Sequence, residues 1–170
     1  DPKAIFNYGI TQLNKQDVAY AQQQGKTIKL VVHAQKDDKK ITGFVLPTFV
    51  DANNPLYTVE NEFNGILLES AFADHQFFLG KGAGSNPTGS AVLSDISALT
   101  YQYKYEYKKR HQNPDAYYSQ DQWLEVYLRY DNPDDIDQSA FRQINQRFES
   151  RESNYLIGEI NLQQLRQAQW

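Results

Sequence analysis

Gly80-Lys81-Gly82-Ala83-Gly84-Ser85-Asn86-Pro87-Thr88-Gly89-Ser90-Ala91-Val92-Leu93-Ser94-Asp95 reads as a glycine-rich loop running into a helix. The apolar run before it, Gln76-Phe77-Phe78-Leu79, has the length of a short buried strand, and Thr88 or Ser90 is suited to cap the helix. Glycines at alternate positions let the backbone take positive φ and let a ligand approach it closely. The helix N-terminus beyond them offers unpaired N–H groups and partial positive charge to an anionic or carbonyl-bearing ligand. The same pattern also serves as a plain tight connection. It is not a Walker loop, because no Gly-Lys-Ser/Thr follows. Nor is it the dinucleotide fingerprint Gly-x-Gly-x-x-Gly, because Gly82 and Gly84 are followed by Asn86 and Pro87.

Upstream, residues 1–10 form an arm anchored by Ile5, Phe6 and Ile10. Asn14 with Asp17 makes a capping-box variant for a short helix carrying Val18, Ala21 and Gln22, and Gly25 stands at the C′ position. Thr27–Ala34 and Ile41–Val50, joined by the polar turn Asp37-Asp38-Lys39-Lys40, predict a hairpin whose end is demoted to an edge or bulge by Pro47. Phe63–Ser70 predicts a further strand, and its Ile66-Leu67-Leu68 run predicts a central position covered on both faces.

Downstream, Ala91, Val92, Ile96 and Leu99 mark one face of the helix after the loop. Tyr101, Tyr103, Tyr105 and Tyr107 alternate as in a strand, but no turn signal separates them from the helix, which is therefore expected to run to about Lys108. Arg110–Asp121 reads as a linker. Trp123–Tyr130 then predicts a strand, Asp131–Asp135 an acidic turn, and Ile136, Ala140, Ile144 and Phe148 an amphipathic helix. Tyr155–Ile160 predicts another strand, and Asn161 caps a last helix through Leu162 and Leu165.

A hydrophobic fraction of 40%, with 14% aromatic, supports a packed core in a chain of 170 residues. No apolar run has the length of a membrane span, and Asp1-Pro2-Lys3-Ala4 lacks the apolar core of a signal peptide, so a soluble chain is expected. The absence of cysteine excludes disulfides and thiol catalysis and is compatible with a reducing cytoplasm. The absence of methionine, even at position 1, predicts that the chain is a fragment or a processed product. Residues 1–110 carry 12 basic against 11 acidic side chains, and residues 111–170 carry 5 against 10. This asymmetry predicts a boundary near 110, and without a basic stripe no nucleic-acid partner is expected.

Gly82-Ala83-Gly84-Ser85-Asn86-Pro87-Thr88-Gly89-Ser90-Ala91-Val92-Leu93-Ser94-Asp95-Ile96 resembles the closing motif of homoserine dehydrogenases, usually Gly-Ala-Gly-x-x-Pro-Thr-x-Ser-Ala-Val-x-x-Asp-Ile. Three further blocks resemble that family in order. They are Gly9-Ile10-Thr11 with Asp17-Val18, Ala21, Gly25 and Ile28-Lys29-Leu30; Leu46-Pro47-Thr48-Phe49-Val50 with Asn54-Pro55-Leu56; and Val59 with Glu62-Phe63-Asn64-Gly65-Ile66. The resemblance implies an α+β fold. A mixed or antiparallel sheet packed with helices over 1–109 would be the later part of the substrate and dimerisation domain. After a linker at 110–121, residues 122–170 are similar to a small βαβα ACT-like regulatory unit, with Asp134 where that family's turn has glycine.

The activity implied is interconversion of L-homoserine and L-aspartate 4-semialdehyde with NAD or NADP, in threonine and methionine biosynthesis. The cofactor would be bound mainly by a Rossmann domain absent from this chain, and the acid and lysine that handle the substrate would also precede Gly9. No catalytic residue and no metal ligand is therefore expected here. The cofactor-contacting candidates carried over are Gly84 and its neighbours Gly82, Ala83, Pro87 and Thr88. The resemblance further implies a homodimer, the protein's own N-terminal domain as a partner, a small-molecule substrate and a cytoplasmic enzyme. Lys29 is read as a strand lysine with a solvated tip, His33, His75 and His111 as surface or strand histidines, and Asp74 and His75 as neighbours on opposite strand faces. A stand-alone dimerising or amino-acid-sensing module without catalysis is the alternative, as is a merely accidental glycine-loop similarity.

Overall fold

The computed structural model describes residues 2–103, 115–150 and 153–168. The fold is α+β, with strands outnumbering helices among these residues. The chain divides into two compact units, one drawn from Asp1–Gln12, Leu30–Pro47 and Asn113–Trp170, the other from Leu13–Lys29 and Thr48–Gln112.

In the first unit, strand β1 (Phe6–Asn7) runs parallel to β3 (Lys40–Asp51) with Phe6 opposite Phe44, and β3 also pairs with β2 (Lys26–Asp37) of the expected hairpin. The described β1 ladder ends at Asn7–Val45. Pro47, which has no N–H to donate, falls beyond it, as an edge position requires. The stretch read as a linker is structured where described: β6 (Tyr117–Tyr118) pairs in parallel with Lys40–Ile41, and Tyr118 Oη donates to the Gly43 carbonyl at 3.0 Å. The amide of Gln120 and the guanidinium of Arg166 both donate to the carbonyl of Ala4, tying the N-terminal arm to the tail.

The tail itself is a three-stranded antiparallel sheet in the order β7 (Trp123–Tyr130), β9 (Asn154–Asn161), β8 (Phe141–Glu149). Leu156, Gly158 and Ile160 are buried at every second position of β9, so one face of this strand lies against the core formed with Phe44, Tyr130, Ile136, Phe141, Leu162 and Leu165. The helix expected over Ile136–Phe148 is absent. Its first part holds one 3₁₀ turn, Gln138–Ala140, capped by the Asp137 side chain and preceded by another at Pro133–Asp135 capped by Asn132, and the rest is β8. Two irregularities, between Phe141 and Gln143 and between Ile144 and Gln146, interrupt the regular pairing of β8 with β9. The final helix, α3 (Leu162–Gln167), starts where expected, with the Asn161 side chain accepting from the Gln163 amide at 3.0 Å.

In the second unit, α1 (Lys15–Gln23) has the full capping box. Asn14 Oδ1 accepts from the amides of Gln16 and Asp17, Asp17 Oδ2 accepts from Asn14 N at 2.9 Å, and Gly25 takes φ +68° beyond the helix end. Asn14→Ala is expected to cost about 1 kcal/mol of stability, read as a lower urea midpoint at unchanged slope. Strands β4 (Phe63–Ser70) and β5 (Asp74–Lys81) form an antiparallel pair in full register, followed by α2 (Ser85–Thr100). An ideal Cβ on Gly65 would stand 2.6 Å from Val59 Cγ2 and 3.0 Å from Phe77 Cε2. Gly65→Ala should therefore overpack this contact and cost about 1–3 kcal/mol, measured as a lower Tm.

The expected coverage of β4 on both faces is not found. Ile66 is 64% exposed and its cross-strand partner Phe78 55%, and Leu68 is 48% exposed. Among the described residues this hairpin forms a two-stranded sheet, so one face of an apolar run is left in solvent. The α2 face of Val92, Ile96 and Leu99 is exposed as well.

The helix also starts and stops earlier than its sequence indicates. Gly84, not Thr88 or Ser90, is the N-cap. At the other end the amides of Gln102 and Tyr103 donate back to Leu99 and Ala98, with Gln102 at φ +54°. That is a Schellman stop formed without the glycine that usually marks it. Residues 104–108, assigned to the helix from sequence, lie outside the described residues.

Candidate functional site

The loop between β5 and α2 takes its shape from a few backbone facts. Gly84, at φ +109° and ψ 160°, occupies a region essentially closed to residues with a Cβ. Its carbonyl accepts the first helical hydrogen bond, from Thr88 N at 3.1 Å, and no side chain caps the helix. The N–H groups before Thr88 have no intrahelical acceptor, and Pro87 has no N–H, so Ser85 and Asn86 supply the two free amide donors of this terminus. Donors and helix dipole together favour an acceptor oxygen.

The loop is tied down at its other end. Gly82 N donates to the Glu62 carbonyl at 3.3 Å, and Lys81 Nζ pairs with Glu62 Oε1 at 2.8 Å while lying over the Phe63 ring. The hydrogen bond from Lys81, followed by one to backbone, holds the Glu62 carboxyl below its ordinary value of 4.5. A carboxyl with a lowered folded pKa contributes its stabilisation in full above the unfolded value and loses it as pH falls through the folded one. The anchor is therefore expected to hold at neutral pH and to loosen in acid below 4.5, observable as faster exchange of the Gly82 amide after correction for intrinsic rates.

All five residues assigned to the cofactor from sequence, Gly82, Ala83, Gly84, Pro87 and Thr88, lie on this one turn. Pro87 is partly buried and the others are exposed. Sequence reading passed over Asn64 of β4 and Glu62 just before it as site residues; both stand beside the loop because Asn64 pairs with Gly80 and Phe63 with Lys81.

The remaining candidates sit elsewhere. Lys29 is a half-buried lysine of β2 whose ammonium donates to the Val59 carbonyl. Asp74 and His75 do approach, Nδ1 to Oδ1 at 3.3 Å, because Asp74 takes φ +52° at the hairpin turn. The pair is exposed at the hairpin tip. The His33 ring stacks on Phe44 with centroids 4.9 Å apart, and its Nε2 is buried without a partner, so it is an internal strand residue. Tyr101 and Tyr103 are exposed, and His111, Tyr105 and Tyr107 lie outside the described residues.

The homoserine dehydrogenase family profile matches residues 1–97, which include the whole loop and the first part of α2. Homoserine dehydrogenase from Bacillus subtilis is 32% identical over 131 residues, covering 71% of this chain and 30% of that enzyme. The enzyme from Corynebacterium glutamicum is 38% identical over 97 residues, 54% of this chain and 22% of its own length. The crystal structure of a homoserine dehydrogenase from Thiobacillus denitrificans shares the fold over 95% of this chain and 42% of that one, with a TM-score of 0.68 at 24% identity. The chain thus spans less than half the length of each of these relatives. With its profile match extending over more than half of its residues, it belongs to the homoserine dehydrogenase family.

Proposed function

We propose that the chain is part of an oxidoreductase that interconverts L-homoserine and L-aspartate 4-semialdehyde with NAD or NADP, in threonine and methionine biosynthesis. The carrying observation is Gly84, whose bare Cα and positive φ open the N-terminus of α2 in the segment that matches the family. The residues fit a dinucleotide: the two free amides of Ser85 and Asn86 are donors for an acceptor oxygen, and a Cβ at position 84 would fill part of the approach. When bound, the nicotinamide supplies or takes the hydride. This chain's contribution is to seat the cofactor on Gly82, Ala83, Gly84, Pro87 and Thr88. The acid and lysine that handle the substrate, and the Rossmann domain that binds most of the cofactor, belong to preceding sequence. The 170-residue chain alone is accordingly inactive. NAD(P)H oxidation driven by aspartate semialdehyde, assayed on the full-length polypeptide beside the isolated chain, tests this. Silence from a folded full-length protein overturns the enzymatic reading.

Two further parts of the reading concern assembly. Ile66, Leu68 and Phe78 expose one apolar face of the β4–β5 hairpin, which supports a homodimer built on this sheet, and a monomer in sedimentation counts against it. We also read residues 122–170 as an incomplete or divergent ACT-like regulatory unit, in which β8 stands where the βαβα order has its first helix, following the domain at 1–109 and the connection at 110–121. Its turn is occupied: the Asp134 amide donates to Asn132 Oδ1 at 3.2 Å, so the position where the related turn has a bare glycine carries a side chain and an engaged N–H. Millimolar threonine is therefore expected to leave Tm unchanged.

A further inference from the structure

We propose that Asn64 contacts the cofactor beside the glycine loop, as a hydrogen-bond donor to one of its acceptor oxygens; this rests on the reading of the loop given above. Asn64 projects from β4 opposite Gly80. Its Nδ2 lies 1.9 Å, and its Cγ 3.2 Å, from where a Cβ on residue 82 would be. The carboxamide thus lies against the bare Cα of Gly82, two residues from the Gly84 cap.

Gly82 is not among the residues with positive φ, unlike Gly84. Glycine at 82 is explained by the amide that occupies its side-chain space, and not by its backbone conformation. The two glycines of Gly82-Ala83-Gly84 therefore serve different ends: one shapes the turn, and the other admits a polar side chain to it. Asn64 is exposed, and an amide nitrogen is a donor wherever it finds an acceptor. With Ser85 N and Asn86 N it makes a third donor at the loop. Three donors of one kind around a positive helix end select the same class of group, an oxygen bearing negative or partial negative charge.

The test is fluorescence titration of NADPH and NADH into the full-length protein, with Tm recorded for every variant. Asn64→Ala is expected to raise Kd about 5–10-fold, the effect of one hydrogen bond. Asn64→Asp should raise it further, because an acceptor then faces an acceptor. Gly82→Ala needs the space of the Asn64 amide, so it should match Asn64→Ala, and the double variant Gly82→Ala/Asn64→Ala should add little beyond either. A lower Tm with unchanged Kd in Asn64→Ala makes Asn64 a packing residue and overturns the inference, as does full additivity in the double variant. Gly84→Val separates the two readings. If it weakens cofactor binding while Asn64→Ala does not, only the role of Asn64 fails. If neither changes Kd, the loop does not seat the cofactor.

Discussion

Gly84→Val in the full-length protein should weaken NADPH binding by several-fold to about a hundred-fold while leaving the chain folded. The cause is conformation and not crowding. A Cβ at position 84 would meet only Pro87 Cδ, at an ordinary 3.6 Å, yet φ +109° with ψ 160° is a region that residues with a Cβ avoid at a cost of about 1–3 kcal/mol. A β-branched residue is the least tolerant. The loop relieves that strain by rotating Gly84, and rotation swings the amides of Ser85 and Asn86 away from the direction they share with the helix axis. Every 1.4 kcal/mol is a factor of ten in affinity, so the strain predicts a change of several-fold to a hundred-fold. Gly89→Ala is the control. Gly89 lies inside α2 with nothing within 4 Å of an added Cβ, so alanine there should stabilise the helix by about 0.5–1 kcal/mol with Kd unchanged. Equal effects from Gly84→Val and Gly89→Ala would show that the loop conformation has no part in binding.

Legibility from sequence followed how local each determinant was. The α1 capping box, Gly25 beyond it and the Asn161 cap of α3 are contacts within about four residues, and the sequence carries them in full. The β2–β3 hairpin was legible for the same reason, since its turn chemistry sits between two β-branched runs. The end of α2 was not legible, because Gln102 takes the left-handed conformation that sequence reading assigns to glycine. The strand β8 was hidden because residues four apart, such as Ile144 and Phe148, share a face in a strand as well as in a helix, and Ile136 and Ala140 before the strand extend the same spacing. For β4, the run Ile66-Leu67-Leu68 reports an apolar surface on both faces but not what covers it. Ile66 and Leu68 are exposed, so the burial of that face was not legible from periodicity. At the candidate site, the glycines were visible because they are contiguous. Asn64 was invisible because its neighbour Gly82 is reached through strand pairing across 18 residues of chain.

Gly158→Ala carries the largest expected loss of stability, about 3 kcal/mol at the upper end of overpacking costs, which for a chain of this length lowers Tm by roughly 6–12 °C. The added methyl would stand 2.7 Å from the Gln143 carbonyl oxygen, 2.9 Å from Phe141 Cδ1 and 3.3 Å from Ile144 Cα. Two of those three atoms are backbone, so no rotamer change clears the space. Gly158 is central in the order β7-β9-β8, paired with Val126 on one side and Ile144 on the other, and β9 cannot move away from β8 without disturbing β7. Its position also accounts for the irregularities of β8. The bare Cα of Gly158 lets the backbone of Gln143 and Ile144 close onto β9 between the two register shifts, so the bulged strand and the glycine opposite it form one device. Phe141→Leu should therefore recover only a small part of the loss in Gly158→Ala, because it relieves the aromatic contact and leaves the carbonyl in place. Full recovery would show that the ring, and not the bulged backbone, requires glycine at this point. Hydrogen exchange gives the local signature: protection in Gly158→Ala should fall first along Phe141–Glu149, before the paired amides of β4 and β5 are affected.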